Sequence, residues 1–392
     1  MVTESGWHQA RRIARDLARA TPVEMLDVAE LDQRVLARDC HARCDLPGFA
    51  TSAMDGWALC GAGPWRITGD VPAGRPLERS LVPGEAVRIA TGSVVPRGAD
   101  AILRWEHADR SGDLLQGDSQ PGRDIRDAGQ ECRQGELIAT AGTTVSPALA
   151  GLLAATGHDQ VAVHRRPRVS LLLLGDELLT SGVPTGGRIR DSLGPQVPGW
   201  IARAGGLVVA TEHVPDTVAT TRQALQRHAA TSDLLITTGG TAAGPRDHLH
   251  AALAEVAGTL QVDRVRVKPG HPMLLAEVPR PVGDSSLYPV PLVGLPGNPH
   301  SAVVGLVTLA VPLLDGMLAR PARALHSAPT REDLRAAPGH TRLIAGRLVD
   351  GTFTLSGYPG SAMLRGLAQS DGFAVVDEDL RAGMDVPWLP LP

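Results

Sequence analysis

The segment Asp233-Leu-Leu-Ile-Thr-Thr-Gly-Gly-Thr-Ala-Ala-Gly-Pro-Arg-Asp247 constrains this chain more than any other, because an apolar strand runs straight into a glycine pair and then an acidic helix start. Open α/β sheets present ligands at such places, in the crevice beyond the carboxyl ends of their strands. Backbone at Gly239, Gly240 and Gly244 can approach a bound group closely and take positive φ, and Asp247 stands where it would cap a helix from His248 to Ala257. Two later stretches follow the same logic: Lys268-Pro-Gly-His-Pro272 and Val293-Gly-Leu-Pro-Gly-Asn-Pro-His-Ser301. In the second, Pro296 and Gly297 make the turn, Asn298 is the N-cap and Pro299 the first helical residue. The N–H groups near His300 and Ser301 would then leave a helix N-terminus that favours an oxyanion. Each loop alone reads equally as a tight turn between strand and helix. Three in one sheet favour a site.

The surrounding pattern supports that sheet. From Arg168 onward, apolar runs at Val169 to Leu174, Leu207 to Thr211, Leu234 to Thr238 and Leu292 to Leu295 alternate with helical stretches, which predicts a mainly parallel sheet covered on both faces. Residues 7 to 20 read as an amphipathic helix with Trp7, Ala10, Ala14, Leu17 and Ala18 on one side, and Val28 to Ala37 as a second helix. Short alternating runs from Phe49 to Thr140, with a hairpin signal at Arg110-Ser-Gly-Asp113, predict a small β-rich domain. Pro147 to Thr156 is helical in pattern and is expected to return to the N-terminal helices, making the β-rich domain an insertion. A last hairpin is expected around Asp350-Gly351.

The fold class is therefore multidomain α/β. Four parts are expected: an N-terminal helical linking or dimer-forming region, 1–48, completed by 141–166; an inserted β-rich domain, 49–140; an open, mainly parallel α/β domain, 167–319; and a small C-terminal β domain, barrel-like, 320–392. The chain's 392 residues accommodate that many units.

Composition narrows the function. A formal charge of -4 and only 3% aromatic residues leave neither the electrostatic footprint nor the stacking platform of a nucleic-acid binder. Arg11-Arg12 is not followed by an apolar signal region, and the longest strongly apolar run, Val303 to Leu314, contains Pro312 and suits a buried helix better than a membrane span. A cytoplasmic protein with no membrane or nucleic-acid partner is expected. Cysteines at 40, 44, 60 and 132 make no disulfide framework, and Cys40-His-Ala-Arg-Cys44 lacks a second ligand pair at zinc spacing.

The glycine loops, together with Ser52-Ala-Met-Asp-Gly-Trp57, Arg88-Ile-Ala-Thr-Gly92, Pro96-Arg-Gly-Ala-Asp100, Asp124-Ile-Arg126, Gly175-Asp-Glu-Leu178 and Asp191-Ser192, resemble the molybdopterin molybdenumtransferases, the family of MoeA and the gephyrin E domain. The motifs fall in the family's order from about residue 50 to residue 301. The resemblance implies insertion of molybdenum from molybdate into adenylylated molybdopterin, with release of AMP, during molybdenum cofactor synthesis. Both substrates are anionic, so the site calls for cations, backbone donors and a divalent metal, Mg²⁺ by its preference for hard oxygen ligands.

By the same resemblance Asp55, Glu177, Asp216 and Asp247 are the functional carboxylates and metal ligands, Thr91 the functional hydroxyl and Lys268 the fixed charge, with Arg264, His271, Pro272, Ser301 and Ser361 lining the molybdate and pterin site. Taken one at a time, each has a structural reading too: a turn, a solvated strand end or a helix start. A homodimer is implied, with Asp55 and Thr91 acting across the subunit boundary, and a molybdopterin adenylyltransferase as a further partner. The alternative is a non-catalytic paralogue that holds the pterin or its cofactor for storage or regulation. Departures from the family pattern favour it: His271 replaces a lysine, Ala242 and Ala243 interrupt a Gly-Gly-Val-Ser loop, Leu193 falls within an Asp-Ser-Asn-Ser string, Glu131 takes an aspartate position and His340 takes one that often carries arginine.

Overall fold

The apolar runs that alternate with helical stretches assemble into a six-stranded sheet ordered Leu207–Val214, Arg168–Leu174, Leu234–Thr238, Val290–Leu295, Leu274–Val278, Thr259–Asp263 in the computed structural model, which describes residues 4–241, 248–281, 288–358 and 360–392. The first four strands are mutually parallel, and the last two join antiparallel. Side chains alternate across the strand Arg168–Leu174: Leu171 and Leu173 enter one core, Leu172 and Leu174 the other. The helices Leu193–Arg203 and Pro299–Met317 cover the first face, and Val218–Ala229 with Leu249–Glu255 cover the second. Burial on both faces explains why these strands read as continuous apolar runs.

Trp7–Leu17 is a helix that buries Trp7, Ala10 and Ala14 against the first core. It lies on the long helix Pro299–Met317, whose middle, Leu306–Ala310, widens into a π turn just before Pro312. Proline has no N–H to give, and the widened turn leaves carbonyls without helical partners. Arg11 takes one of them, at Val307, while the Trp7 indole donates to Thr308 Oγ1 at 2.9 Å. Burial holds the Arg11 guanidinium down to about 10. Pro299–Met317 is long and apolar enough to cross a membrane, yet 94% of it is buried inside the protein, so it is read as a core helix.

A seven-stranded sheet gathers Ser5–Gly6, Val265–Lys268 and the C-terminal strands His326–Pro329, Thr341–Val349, Thr352–Leu355, Gly372–Val376 and Asp385–Pro390. The expected hairpin is present, with Asp350 at φ 49° and Gly351 at φ 75° joining Thr341–Val349 to Thr352–Leu355. That pair of positive φ angles matches the twist of the flanking strands.

Residues 25–32 and 38–162 form a second compact unit, and 1–24, 33–37 and 163–392 the first. The second unit holds a six-stranded sheet in which Gly56–Leu59 is an interior strand, next to one edge and buried on both faces. The hairpin at Gly112-Asp113 joins Ala108–Ser111 to Leu114–Gly117. The helix Pro147–Ala155 starts as its sequence dictates, with Ser146 accepting from Leu149 N–H and Pro147 in the first turn. The helix expected over Val28 to Ala37 does not form. Only a single 3₁₀ turn, Val28–Glu30, is helical, because Gln33 takes φ 59° and Leu36 bridges Val163 in extended pairing.

Candidate active site

Loops at the carboxyl ends of the four parallel strands open around one cavity of about 760 Å³, lined by Glu177, Asp191, Asp216, Gly239, Gly240, Gly297, Asn298 and Pro299 among others. Its place follows from strand order. The strand Arg168–Leu174 has its successor in sequence on one side and Leu234–Thr238 on the other, so the chain leaves it in two directions and a crevice opens between.

Gly239 takes φ 81° and lies where a Cβ would sit 3.0 Å from the Leu174 carbonyl, so only glycine fits there without displacement. Gly240 follows at φ 65°. Gly244 and Asp247, with Ala242 and Ala243, lie outside the described residues. The helix expected from His248 runs Leu249–Glu255, with His248 itself at the N-cap position.

Acidic groups dominate the opposite rim. Asp216 Oδ2 accepts the Asp176 amide at 3.3 Å, and Asp176 Oδ1 accepts the Asp216 amide at 3.2 Å. Burial, then the charges of Asp176 and Glu177, push Asp216 above the ordinary carboxylate range. Asp191 accepts the Leu193 and Gly194 amides, both at 2.9 Å, and so holds the start of the helix Leu193–Arg203. Leu193 itself is a core residue, 5% exposed, which accounts for an apolar side chain in that string.

Asn298 is the N-cap in backbone conformation and Pro299 opens the helix, but the N–H groups behind them are not free. The Ser361 carbonyl accepts from His300 N–H at 3.1 Å and from Ser301 N–H at 3.3 Å, and Asn298 Nδ2 donates to Ser361 Oγ at 3.3 Å. The open oxyanion terminus expected from sequence is therefore capped by the chain's own backbone. Pro296 is buried beneath this turn, whereas Gly297 and Asn298 are exposed.

Beside Ser361 lies a second cavity, about 420 Å³, lined by Lys268, Arg342, His300 and Tyr358. Lys268 and Arg342 are register partners on adjacent parallel strands, which puts two cations at one sheet position. Neither Asp176 nor Arg342 stands out in the sequence, and His300 does so only for its backbone N–H, although Asp176 stands inside the Gly175-Asp-Glu-Leu178 string. Burial lowers the His300 pKa. Its Nδ1 faces the Gly360 carbonyl at 3.1 Å, and its Nε2 is buried without a hydrogen-bond partner. Arg264 is exposed at φ 69° in the turn before Val265–Lys268, and Pro272 is half-buried. His271 turns its Nε2 to the Glu4 carboxylate rather than to open solvent.

Asp55 and Thr91 belong to the β-rich unit. Asp55 Oδ1 accepts from Thr91 N–H at 2.7 Å and from its hydroxyl at 3.0 Å, two bonds that hold the exposed carboxyl below its ordinary value.

A multidomain α/β protein with an acidic, glycine-walled cavity at the switch point of its sheet is thus defined. Residues 6–157 match the MoeA N-terminal region (domain I and II), 170–316 the probable molybdopterin binding domain, and 327–391 the MoeA C-terminal region (domain IV). The chain is 33% identical over 393 residues to molybdopterin molybdenumtransferase 2 of Mycobacterium tuberculosis, covering 94% of this chain and 95% of that one. It is 28% identical over 394 residues to the molybdopterin molybdenumtransferase of Nostoc sp., covering 94% and 89%. The molybdopterin biosynthesis moeA protein from Pyrococcus horikoshii OT3 has the same fold, with a TM-score of 0.81 at 22% identity and both chains covered completely. The chain belongs to the molybdopterin molybdenumtransferases, a family of enzymes of molybdenum cofactor biosynthesis.

Proposed function

We propose that this protein inserts molybdenum from molybdate into adenylylated molybdopterin and releases AMP. The observation that carries the reading is the acidic lining that faces the cavity beside its glycine loops: Glu177 and Asp216 line it, Asp176 stands behind Asp216, and Asp216 is raised by burial and by its neighbours' charges. Carboxylates so placed repel a polyanion unless a cation stands between them. Glu177 and Asp216, with Asp247 and Asp55 by resemblance, would hold Mg²⁺, an ion that prefers oxygen ligands. Such an ion supplies charge neutralisation at the bridging phosphate oxygens.

The remaining groups have separable tasks. Gly239 and Gly240 let the backbone approach the bound anion, and Lys268 with Arg342 provides the positive wall on which molybdate would rest. Asn298 and Ser361 join the two cavities by their hydrogen bond. A cytoplasmic homodimer, with Asp55 and Thr91 facing the partner's cavity and a molybdopterin adenylyltransferase supplying the substrate, completes the reading.

A second reading rests on specific observations. The helix terminus is capped by Ser361, and His271 is paired with a carboxylate, so two donors expected for an oxyanion are engaged elsewhere. A paralogue that binds the pterin without turnover has that appearance. Purified protein given adenylylated molybdopterin, molybdate and Mg²⁺ separates the readings. AMP release that depends on both molybdate and metal is expected, and pterin binding without AMP release under those conditions establishes the second. Pyrophosphate formed from ATP and molybdopterin would instead identify an adenylyl-transfer enzyme.

A further inference from the structure

Three residues far apart in sequence, Glu4, His271 and His340, bring a carboxylate oxygen and two imidazole nitrogens within 4.8 Å of one another. Among the described residues no other group of three such side chains does so. The sheet explains the convergence. Ser5–Gly6 pairs in parallel with Val265–Arg266, and Val267–Lys268 pairs in parallel with Thr341–Arg342. Glu4 and His340 therefore stand immediately before two strands that flank a third. The turn after that third strand folds back until the His271 carbonyl accepts the Val265 amide at 3.0 Å, which returns His271 to the same edge.

We propose that Glu4, His271 and His340 bind a divalent transition-metal ion of the zinc class, distinct from the Mg²⁺ sought at the acidic cavity. Two imidazoles and one carboxylate are the donor set of three-ligand zinc sites, with a fourth position left for water or an incoming oxygen ligand. A carbonyl only accepts, so the 3.1 Å contact from His340 Nδ1 to Pro338 O places the proton on Nδ1 and leaves Nε2 with its lone pair. Imidazoles that ligate metals ordinarily anchor their other nitrogen in this way. His271 Nε2 faces Glu4 Oε1 and donates its proton there, a proton that a bound metal would displace. The two rings lie 5.9 Å apart at 57°, and His340 lines a cavity of about 510 Å³ that offers an entry path.

Other charges face the cluster. Arg266 is a cation near Glu4, whereas the His8–Asp377 pair and Asp379 line the adjoining cavity. Arg12 lines that cavity too, and Asp379 is paired with Arg335 at 2.8 Å. Mg²⁺ is the wrong occupant, since two of the three donors are nitrogen. Relative to the family pattern, positions that carry lysine and often arginine have become histidines, so cationic side chains have been exchanged for cation ligands. The site stands on its own geometry, whether or not the chain turns over.

The full chain, stripped of metal, would be titrated with Zn²⁺ against a chromophoric chelator, beside Glu4→Gln, His271→Ala and His340→Ala. One high-affinity site per chain is expected, weakened at least tenfold in every variant and undisplaced by excess Mg²⁺. Equal affinity in the parent and any one variant overturns the proposal. A measurement on the unaltered protein guards against variants that fold poorly: Co²⁺ should give the visible bands of a nitrogen and oxygen environment. Thiolate charge-transfer bands would assign the ion to Cys40, Cys44, Cys60 or Cys132 and overturn it. AMP release plays no part in either readout, so failure here leaves the insertase reading untouched, and the converse holds.

Discussion

Asp176 and Asp216 hold each other's backbone: each carboxylate accepts the other residue's amide, at 3.2 and 3.3 Å, across the loops that leave two adjacent parallel strands. The reciprocal clamp fixes the acidic wall of the cavity before any ligand arrives. It also keeps two anions close together, and burial first, then the charges of Asp176 and Glu177, raise the pKa of Asp216. The dication proposed for this cavity would offset that cost of ionisation.

That cost gives a pH signature. Because the folded-state pKa of Asp216 lies above its unfolded value, the folded state holds more protons in the window between them, and stability falls as pH rises through it. Asp216→Asn removes the charge. In metal-free buffer the variant should be more stable than the parent at neutral pH and no more stable below the unfolded carboxylate pKa, about 3.9. Added Mg²⁺ should raise the Tm of the parent and not of the variant. Thermal denaturation across pH, with and without the ion, checks both halves, and a variant less stable than the parent at pH 7 would show that Asp216 serves only the clamp.

Much of this was legible in the chain, and the failures have physical reasons. The parallel strands, the hairpin at Asp350-Gly351 and the start of the helix at Pro147 were readable because each depends on local pattern: period, turn chemistry and capping. The helix misread over Val28 to Ala37 has helix-compatible apolar spacing, but Leu36 finds an extended partner 127 positions later, at Val163, which no local window contains. The capped terminus at His300 was invisible for a related reason. Its partner, Ser361, arrives from a distant loop. Glu4 carried no signal at all, being an isolated acid near the start of the chain whose meaning depends on sheet order.

Asp55 offers a second test, in the β-rich unit. Its depressed pKa contributes stability that is present above the unfolded value and lost as pH falls through the folded one. Thr91→Ala deletes the hydroxyl bond and keeps the backbone N–H bond, the larger of the two causes, so the Asp55 pKa should rise only part of the way to normal. Carboxyl titration by NMR checks this. If the proposed homodimer shares its site, Asp55→Asn mixed with Glu177→Gln should also regain AMP release through hybrid dimers, and no recovery despite demonstrated subunit exchange would place both residues' roles within one subunit.

The contact between Trp7 and Thr308 is expected to be structural alone. Both side chains are buried, and Trp7→Phe keeps most of the apolar contact while deleting the 2.9 Å bond to a hydroxyl that already donates to Val304 O. The Thr308 oxygen loses a donor in a dry setting, a change of about 1–2 kcal/mol. A lower Tm with unchanged turnover per folded molecule is the expected result; a change in turnover at unchanged Tm would tie this helix pair to the chemistry.

His300 is the last test, because it links burial, titration and the capped helix. The ring is 6% exposed, stacked 5.6 Å from Phe373, and its Nε2 has no partner. Burial lowers its pKa, so the neutral ring is the folded form. The unfolded state therefore binds a proton more readily, and stability present above about pH 6.5 is lost as pH falls below it, at up to about 1.4 kcal/mol per pH unit for one proton. His300→Phe removes the titration and the orphaned nitrogen together, at the expense of the bond to Gly360. Its stability should depend less on pH between about 6.5 and 5 than that of the parent, which denaturant melts at several pH values would show. If the two slopes coincide, the acid sensitivity belongs to other groups. If the slope flattens and anion binding beside Lys268 is lost as well, the ring acts as a positioning residue that holds the Gly360-Ser361 backbone over the helix terminus. The same segment would then govern both stability and access to the pocket.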